Sequence, residues 1–288
     1  MGAQRAAELP FPRHTSAAVT EPDLVASYIT LAGSGFTEPP RYTFRERCEA
    51  ASAAGFTGIG IHVTDLGILT PFDVEQILAD TGLELREIEF LAGWLNPNDG
   101  ANAQTTMERV TALAERAGGD HLSAGDFSGA PLDVAAAALR LTQLSTIAYG
   151  VGLRIALEAF AWSAVNTVEK ADDLVRRVDS PAVGHLLDVW HFFNTGADLT
   201  VLQRLPAQRI AAVQLNDGPR VYNDFLWNAR NTRFLPGDGE LDVRGFLDTL
   251  KRIGYTGPYC VEVNYPEFRA YSVTDAAKRA YDATANYF

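Results

Sequence analysis

Residues 154–191 read RIALEAFAWSAVNTVEKADDLVRRVDSPAVGHLLDVWH, and this stretch decides the fold. An apolar run, Arg154–Ala159, carries a single acid near its end at Glu158. A segment with apolar residues three and four apart, Thr167–Val178, follows, and a second apolar run, Val183–Asp188, closes on Asp188. Short, continuously apolar runs suit strands buried on both faces, and the three-four spacing suits a helix laid over them. Asn166 stands where the N-cap of that helix is expected. Strand, helix and strand in this order form the unit that joins two parallel neighbours.

The unit repeats in both directions. Further strands are predicted at Leu24–Ala32, Phe56–His62, Leu83–Phe90, His121–Ala124, Ile210–Leu215 and Tyr259–Val263, eight in all. Helices are predicted at Tyr42–Ala54, Pro71–Asp80, Ala103–Ala117, Leu132–Tyr149, Val243–Ile253 and Thr274–Ala285, the fifth capped by Asp242. Gly55, Gly82, Gly118, Gly150 and Gly254 each follow a helical pattern and precede a strand, as a left-handed helix terminus requires. Eight such units, with no linker rich in Pro, Gly or Ser between them, predict an α/β fold, a single (β/α)8 TIM barrel. It would span residues 21–288 as the catalytic domain, after an N-terminal extension of residues 1–20. The rival is a doubly wound open sheet. There a dinucleotide loop would follow the first strand, and Ala32-Gly33-Ser34-Gly35-Phe36 has too few glycines at the needed spacing.

Composition narrows the function classes. With 36 acidic against 24 basic residues, a formal charge of -12 repels a phosphate backbone or an anionic membrane surface, so no nucleic acid or membrane partner is expected. Cys48 and Cys260 are too few for a disulfide framework and read as reduced, buried thiols. The first 20 residues have no apolar core of signal-peptide length, and no later stretch approaches a membrane span. A cytoplasmic protein is expected, and a homo-oligomer is left open.

In a parallel barrel the chemistry lies at the carboxyl ends of the strands. Those ends carry His62, Glu89, Glu158, Asp188 with His191, Gln214 with Asn216 and Asp217, and Glu262. A carboxylate at one strand end is ordinary solvated punctuation. Four successive strands delivering Glu158, Asp188, Gln214 and Glu262 are different, because converging carboxylates repel one another unless a cation neutralises them. An all-oxygen set suits one divalent ion, Mn2+ first, with Mg2+ or Co2+ as alternatives. His191 either faces substrate or packs among Trp190, Phe192 and Phe193, while Trp94 and Trp162 read as walls for a ring-shaped ligand or as core filling.

Together with Pro236-Gly237-Asp238-Gly239-Glu240-Leu241-Asp242 and Gly254-Tyr255-Thr256-Gly257, these strand ends resemble the xylose isomerase-like TIM-barrel superfamily of sugar phosphate isomerases and epimerases. The resemblance runs from about Phe56 onward. It implies that Glu158, Asp188 and Glu262 are metal ligands and that His191 contacts substrate. It also implies that Arg220, six positions beyond Gln214, holds substrate hydroxyls. Gln214 stands where the ketose epimerases carry His, which leaves an amide oxygen as ligand and a harder site. The segment Ala159–Ala164 lacks the further acid of the epimerase pattern, so substrate choice should differ.

The expected activity is therefore that of a metal-dependent isomerase or epimerase on a ketose or keto-polyol. A polarised carbonyl acidifies the adjacent C–H, an enediolate forms, and Glu158 and Glu262 act as base and acid. His62, Glu89, Arg220, Trp94 and Trp162 would line a small carbohydrate or polyol substrate. If a β-oxygen leaves instead, with His191 as acid, the same site is a lyase or dehydratase acting on an inosose, a dehydroshikimate or a 3-keto glycoside. An apurinic-site endonuclease on this barrel would need a His-rich multi-zinc cluster, and only five His are present. A non-catalytic binding module remains a further rival, disfavoured by the intact Glu158 and Glu262. Arg220, Arg230 and Arg233 in the long connection after the seventh strand are either phosphate contacts or solvated or subunit-facing surface. That connection, Gly218 to Gly239, is expected to form a lid or an oligomer contact because it is dense in aromatic residues.

Overall fold

The computed structural model describes residues 22–95 and 100–288, so the expected extension, residues 1–20, lies outside the described residues. Eight strands close into a barrel in chain order: β1 Leu24–Ala26, β2 Gly58–His62, β3 Glu84–Leu91, β4 His121–Ala124, β5 Arg154–Glu158, β6 Val183–Asp188, β7 Ile210–Leu215 and β8 Tyr259–Val261. Every neighbouring pair is parallel, including β8 with β1. The expected (β/α)8 TIM barrel is thus the observed fold. Among the described residues no helix is long and apolar enough to cross a membrane.

The outer helices begin and end where their side chains satisfy the free backbone groups. Thr43 and Glu46 form a reciprocal capping box on helix Phe44–Ala54, and Thr70 with Asp73 repeats it on Pro71–Thr81, where Pro71 has no N–H that needs an acceptor. Asp242 caps Val243–Ile253 as expected, accepting from Gly245 N. Over Val168–Val178 the cap is Thr167, one residue later than expected, and Asn166 instead accepts from Lys170 Nζ at 2.8 Å. Gly55, Gly82, Gly118 and Gly254 adopt positive φ, whereas Gly150 stays in its helix and Gly152 makes the left-handed turn.

The first strand is the main correction. The run predicted as Leu24–Ala32 is extended only to Ala26; Tyr28–Ala32 is a short buried helix. A short, wholly apolar run is compatible with either conformation, and tertiary bonds decide here. Tyr28 N donates to Glu89 Oε1 of β3 at 3.0 Å, and Thr30 Oγ1 donates to Val261 O of the neighbouring β8 at 2.7 Å.

Alternation divides the core. Ile155, Leu157 and Leu122 face the helices as part of one large apolar cluster, while Ala156, Leu186 and Ala212 form a small separate cluster within the barrel. Small residues at this inner level leave room above for longer polar side chains. Cys48 and Cys260 are both buried and free.

Buried Asp126 ties the loop after β4 to the loop after β5, accepting from Ser128 N at 3.1 Å, Gly129 N at 3.2 Å and Ala164 N at 2.9 Å. Burial alone would raise its carboxyl, but the amide donors outweigh burial and hold it below its ordinary value. A depressed folded value stabilises the protein above the unfolded pKa, and that contribution is lost as pH falls through the folded value. Asp126→Asn should cost about 1–3 kcal/mol in urea unfolding at pH 7. The gap between mutant and wild type should narrow as pH drops below about 4.

Candidate functional site

Inward positions recur every second residue along each strand, and the register sets which of them meet. His62 pairs with Glu89, Glu87 with His121, and Asp188 with Gln214. Gln214 also pairs with Cys260, two residues before Glu262. A cavity of about 700 Å³ opens above them at the carboxyl ends of the strands. His62, Glu89, Glu158, His191, Gln214 and Glu262 line it, and Asp188 is buried beside them.

Trp162 also lines the cavity, stacked 4.7 Å from Phe160, whose ring lies 5.5 Å from His191. Trp94 does not: it is buried and donates through Nε1 to Gly125 O at 3.1 Å, which makes it core filling. Arg220 is not among the lining residues either. Its Nη1 donates to Phe193 O at 3.1 Å and its guanidinium covers the Phe193 ring. From the same connection it is Arg233, with Arg230, that lines the cavity instead.

Arg233 is brought inward by backbone pairing. Asp217 bridges Phe234 and Arg233 bridges Asn264 in antiparallel fashion, fastening the far end of the connection across β7 and β8. The Asp217 carboxylate accepts from Gly218 N, Gly237 N and Leu241 N, folding the Pro236–Asp242 motif around itself. A Cβ at Gly239 would lie 2.3 Å from Asp217 Oδ1, so this turn admits only glycine. Asp217 is therefore a scaffold and not a cavity group. The connection carries a helix, Phe225–Asn231, from which Leu226, Ala229 and Arg230 face the cavity, while Tyr222 and Trp227 remain exposed.

The buried guanidinium of Arg233 stands among the acids. Nη1 lies 2.6 Å from Glu262 Oε2 and 3.6 Å from Asp188 Oδ2, and Nη2 lies 2.6 Å from His191 Nε2. Arginine stays protonated, so His191 Nε2 must be the acceptor and the imidazole neutral. Burial and the Arg233 charge both hold His191 well below its ordinary value. Burial lifts Glu158 well above the carboxylate range, aided by the charges of Glu262 and Asp188. Burial likewise pushes Glu262 up to about 8 although Arg233 pulls it down. Glu89 is raised well above its ordinary value by burial and then by Glu87 and Glu262.

Other side chains steady the acids. Asp188 accepts from His191 N at 2.7 Å and from Asn216 Nδ2 at 2.5 Å, and Asn216 Oδ1 accepts from Trp190 N. Gln214 Nε2 donates to Glu87 Oε1 at 2.9 Å, which His121 Nε2 approaches at 3.4 Å. Gln214 Oε1 is buried without a hydrogen-bond partner, and Glu262 Oε2 meets only the Arg233 guanidinium. An all-oxygen set with an unsatisfied acceptor fits a hard divalent cation. Glu87 was missed in the sequence because it lies inside a predicted strand. Its shared parity with Glu89 was the available signal.

Residues 48–287 match the family model described as xylose isomerase-like TIM barrel. A 3-dehydroshikimate dehydratase of Pseudomonas aeruginosa is 37% identical over 239 residues, covering 79% of this chain and 37% of that protein. The chain thus spans little more than a third of that relative's length. An inosose isomerase of Bacillus subtilis is 32% identical over 154 residues, 51% of this chain and 55% of that protein. Among solved structures, a xylose isomerase-like TIM barrel/4-hydroxyphenylpyruvate dioxygenase fusion protein superposes with a TM-score of 0.80 at 30% identity, covering 91% of this chain and 42% of that one.

Arg233→Met should remove the counter-ion of these buried acids and cost about 3–5 kcal/mol in denaturant unfolding measured with chelator present. The loss should be smaller at pH 5 than at pH 8, because protonated carboxyls need no counter-ion. Arg220→Met, at a more exposed position, should cost about 1 kcal/mol or less.

Proposed function

The chain belongs to the xylose isomerase-like TIM-barrel family, and we propose that its barrel is the catalytic domain of a divalent-metal-dependent dehydratase. Its substrate is a ring-shaped keto-polyol that carries a carboxylate, of the 3-dehydroshikimate kind. The observation that carries this reading is Arg233, a buried guanidinium at the cavity wall, with Arg230 beside it and a wall of Phe90, Phe160 and Trp162. Aromatic faces accept a flat ring, and a planar guanidinium pairs with a carboxylate. The long match to a dehydratase of that name supports the substrate class.

The residues for a bound ion are Glu158, Asp188, Gln214 and Glu262, and Mn2+, Mg2+ or Co2+ suits their oxygens. Bound there, the ion would polarise the substrate ketone and acidify the neighbouring C–H. His191 is the proton carrier. Its neutral Nε2, freed when Arg233 turns to the substrate carboxylate, accepts the proton from the carbon beside the ketone, before His191 serves as the expected acid toward the leaving oxygen. The imidazolium so formed hands that proton to the hydroxyl on the next carbon, the C–O bond breaks, and one water leaves. Arg233 stabilises the negative charge that develops near His191. His62 and Glu89, across the cavity, contact substrate hydroxyls.

A second reading is isomerisation of an uncharged inosose, favoured by the match to inosose isomerases over half the chain. Purified protein with Mn2+ should be given 3-dehydroshikimate and an inosose in separate D2O reactions followed by ultraviolet absorbance and NMR. The dehydratase reading expects a conjugated product from the carboxylate substrate; isomerised inosose with no water loss from 3-dehydroshikimate would sink it. His191→Ala should lower kcat by about 10²- to 10⁴-fold with bound Mn2+ unchanged. Arg220→Ala should leave kcat/KM near wild type, since that side chain is committed to Phe193.

A further inference from the structure

Beneath the cavity lies a buried carboxylate that this chemistry does not use. Glu87 sits on β3 two residues before Glu89 and is completely shielded from solvent. Its Oε1 meets Gln214 Nε2 at 2.9 Å and His121 Nε2 at 3.4 Å. Cys260 completes a group whose ligand-type atoms all lie within 4.8 Å of one another. As a metal site in its own right the group is poor. Oε1 is already shared between two nitrogens, and burial keeps the Cys260 thiol far above its ordinary value, hence protonated.

The geometry says more about Gln214. A primary amide has an accepting end and a donating end, and only its neighbours determine which way it faces. An ionised carboxylate accepts and cannot donate. Set against Glu87, the amide turns its NH2 toward that carboxylate, and Oε1 is left buried with no hydrogen-bond partner. Space for Glu87 is itself built in, since a Cβ on Gly60 would stand 3.0 Å from Glu87 Oε2. We propose that Glu87 is a positioning residue: it fixes the amide of Gln214 so that its oxygen, and not its NH2, is offered to the divalent ion. His121 steadies Glu87 from the other side. This inference rests on the metal reading above.

An exchange of the two groups tests it. Mn2+ affinity by titration calorimetry and the thermal unfolding midpoint are measured for wild type, Glu87→Gln, Gln214→Glu and the double variant. Glu87→Gln places amide against amide, so Gln214 is free to turn, and affinity should fall about 10- to 100-fold with the midpoint little changed. Gln214→Glu sets two carboxylates against each other. The double variant restores one donor facing one acceptor, so Gln214→Glu should tighten Mn2+ binding at least about tenfold more in the Glu87→Gln background than in wild type, a coupling that neither the added carboxylate nor a merely structural role for Glu87 would produce. If Glu87→Gln fails to fold, His121→Asn loosens Glu87 from the opposite side and should also lower affinity.

Wild-type affinity in Glu87→Gln, or in His121→Asn when that variant stands in, overturns the proposal. So does a gain from Gln214→Glu that is equal in the two backgrounds. A wild-type protein that binds none of Mn2+, Mg2+ and Co2+ removes the metal reading and this inference together, whereas tight wild-type binding with an indifferent Glu87→Gln removes this inference alone.

Discussion

Three buried acids crowd one end of this barrel, and the rest of the molecule is arranged around the cation they require. Glu158, Asp188 and Glu262 come from strand ends that parallel pairing forces together, and each is almost entirely shielded from water. Burying an unpaired carboxylate is among the most costly things a fold can do, so such a group either protonates or finds a positive partner. Arg233 is the partner from this chain. Its position explains why the connection after β7 is long, why Asp217 gathers three backbone amides, and why Arg233 is paired to Asn264 through its own backbone. A guanidinium on a mobile side chain would lose conformational entropy to reach these acids; one delivered by a bridge has lost most of it already.

This constraint also separates what was legible in the sequence from what was not. Strand ends are local facts. An apolar run closing on Glu158 or Asp188 can be read without knowing the partner strand, because strand period and barrel direction fix where the side chain points. Seven of the eight predicted strands agree with the structure to within two residues at either end, and β4, β6 and β7 agree at both ends. The last strand ends two residues early because Val263 N is already taken by Thr30 Oγ1. The failure at Tyr28–Ala32 was decided by bonds to Glu89 and Val261, residues far away in the chain.

Arg233 was illegible for the same reason. A fixed offset from Gln214 pointed to Arg220, but side chains in a connection as long as Gly218 to Gly239 are placed by its folding, and here that depends on pairing with Asn264. Arg220 ended on the Phe193 ring instead. Glu87 is an intermediate case. Its parity with Glu89 marks it as inward, yet nothing local says that an amide from β7 will lie against it. The inner faces of Gly60, Ala156 and Ala212 are small where Glu87, Gln214 and His121 are large, and that complementarity exists only once the barrel is closed.

The same guanidinium links the acids to His191. While Arg233 stands against Glu262, it also donates to His191 Nε2, and that bond keeps the imidazole neutral and its ring oriented over the cavity. Under the dehydratase proposal, a divalent ion held by the carboxylates would take over their neutralisation, since it would compete with Arg233 for the same oxygens. Arg233 would then be released from Glu262 without leaving the cavity, because its backbone is fastened to Asn264. An anionic substrate would supply the carboxylate it had lost, so the ion should bind first and the substrate second. A neutral polyol would offer nothing to replace Glu262, and a preference for an acid substrate would then come from a side chain whose first duty is to the fold.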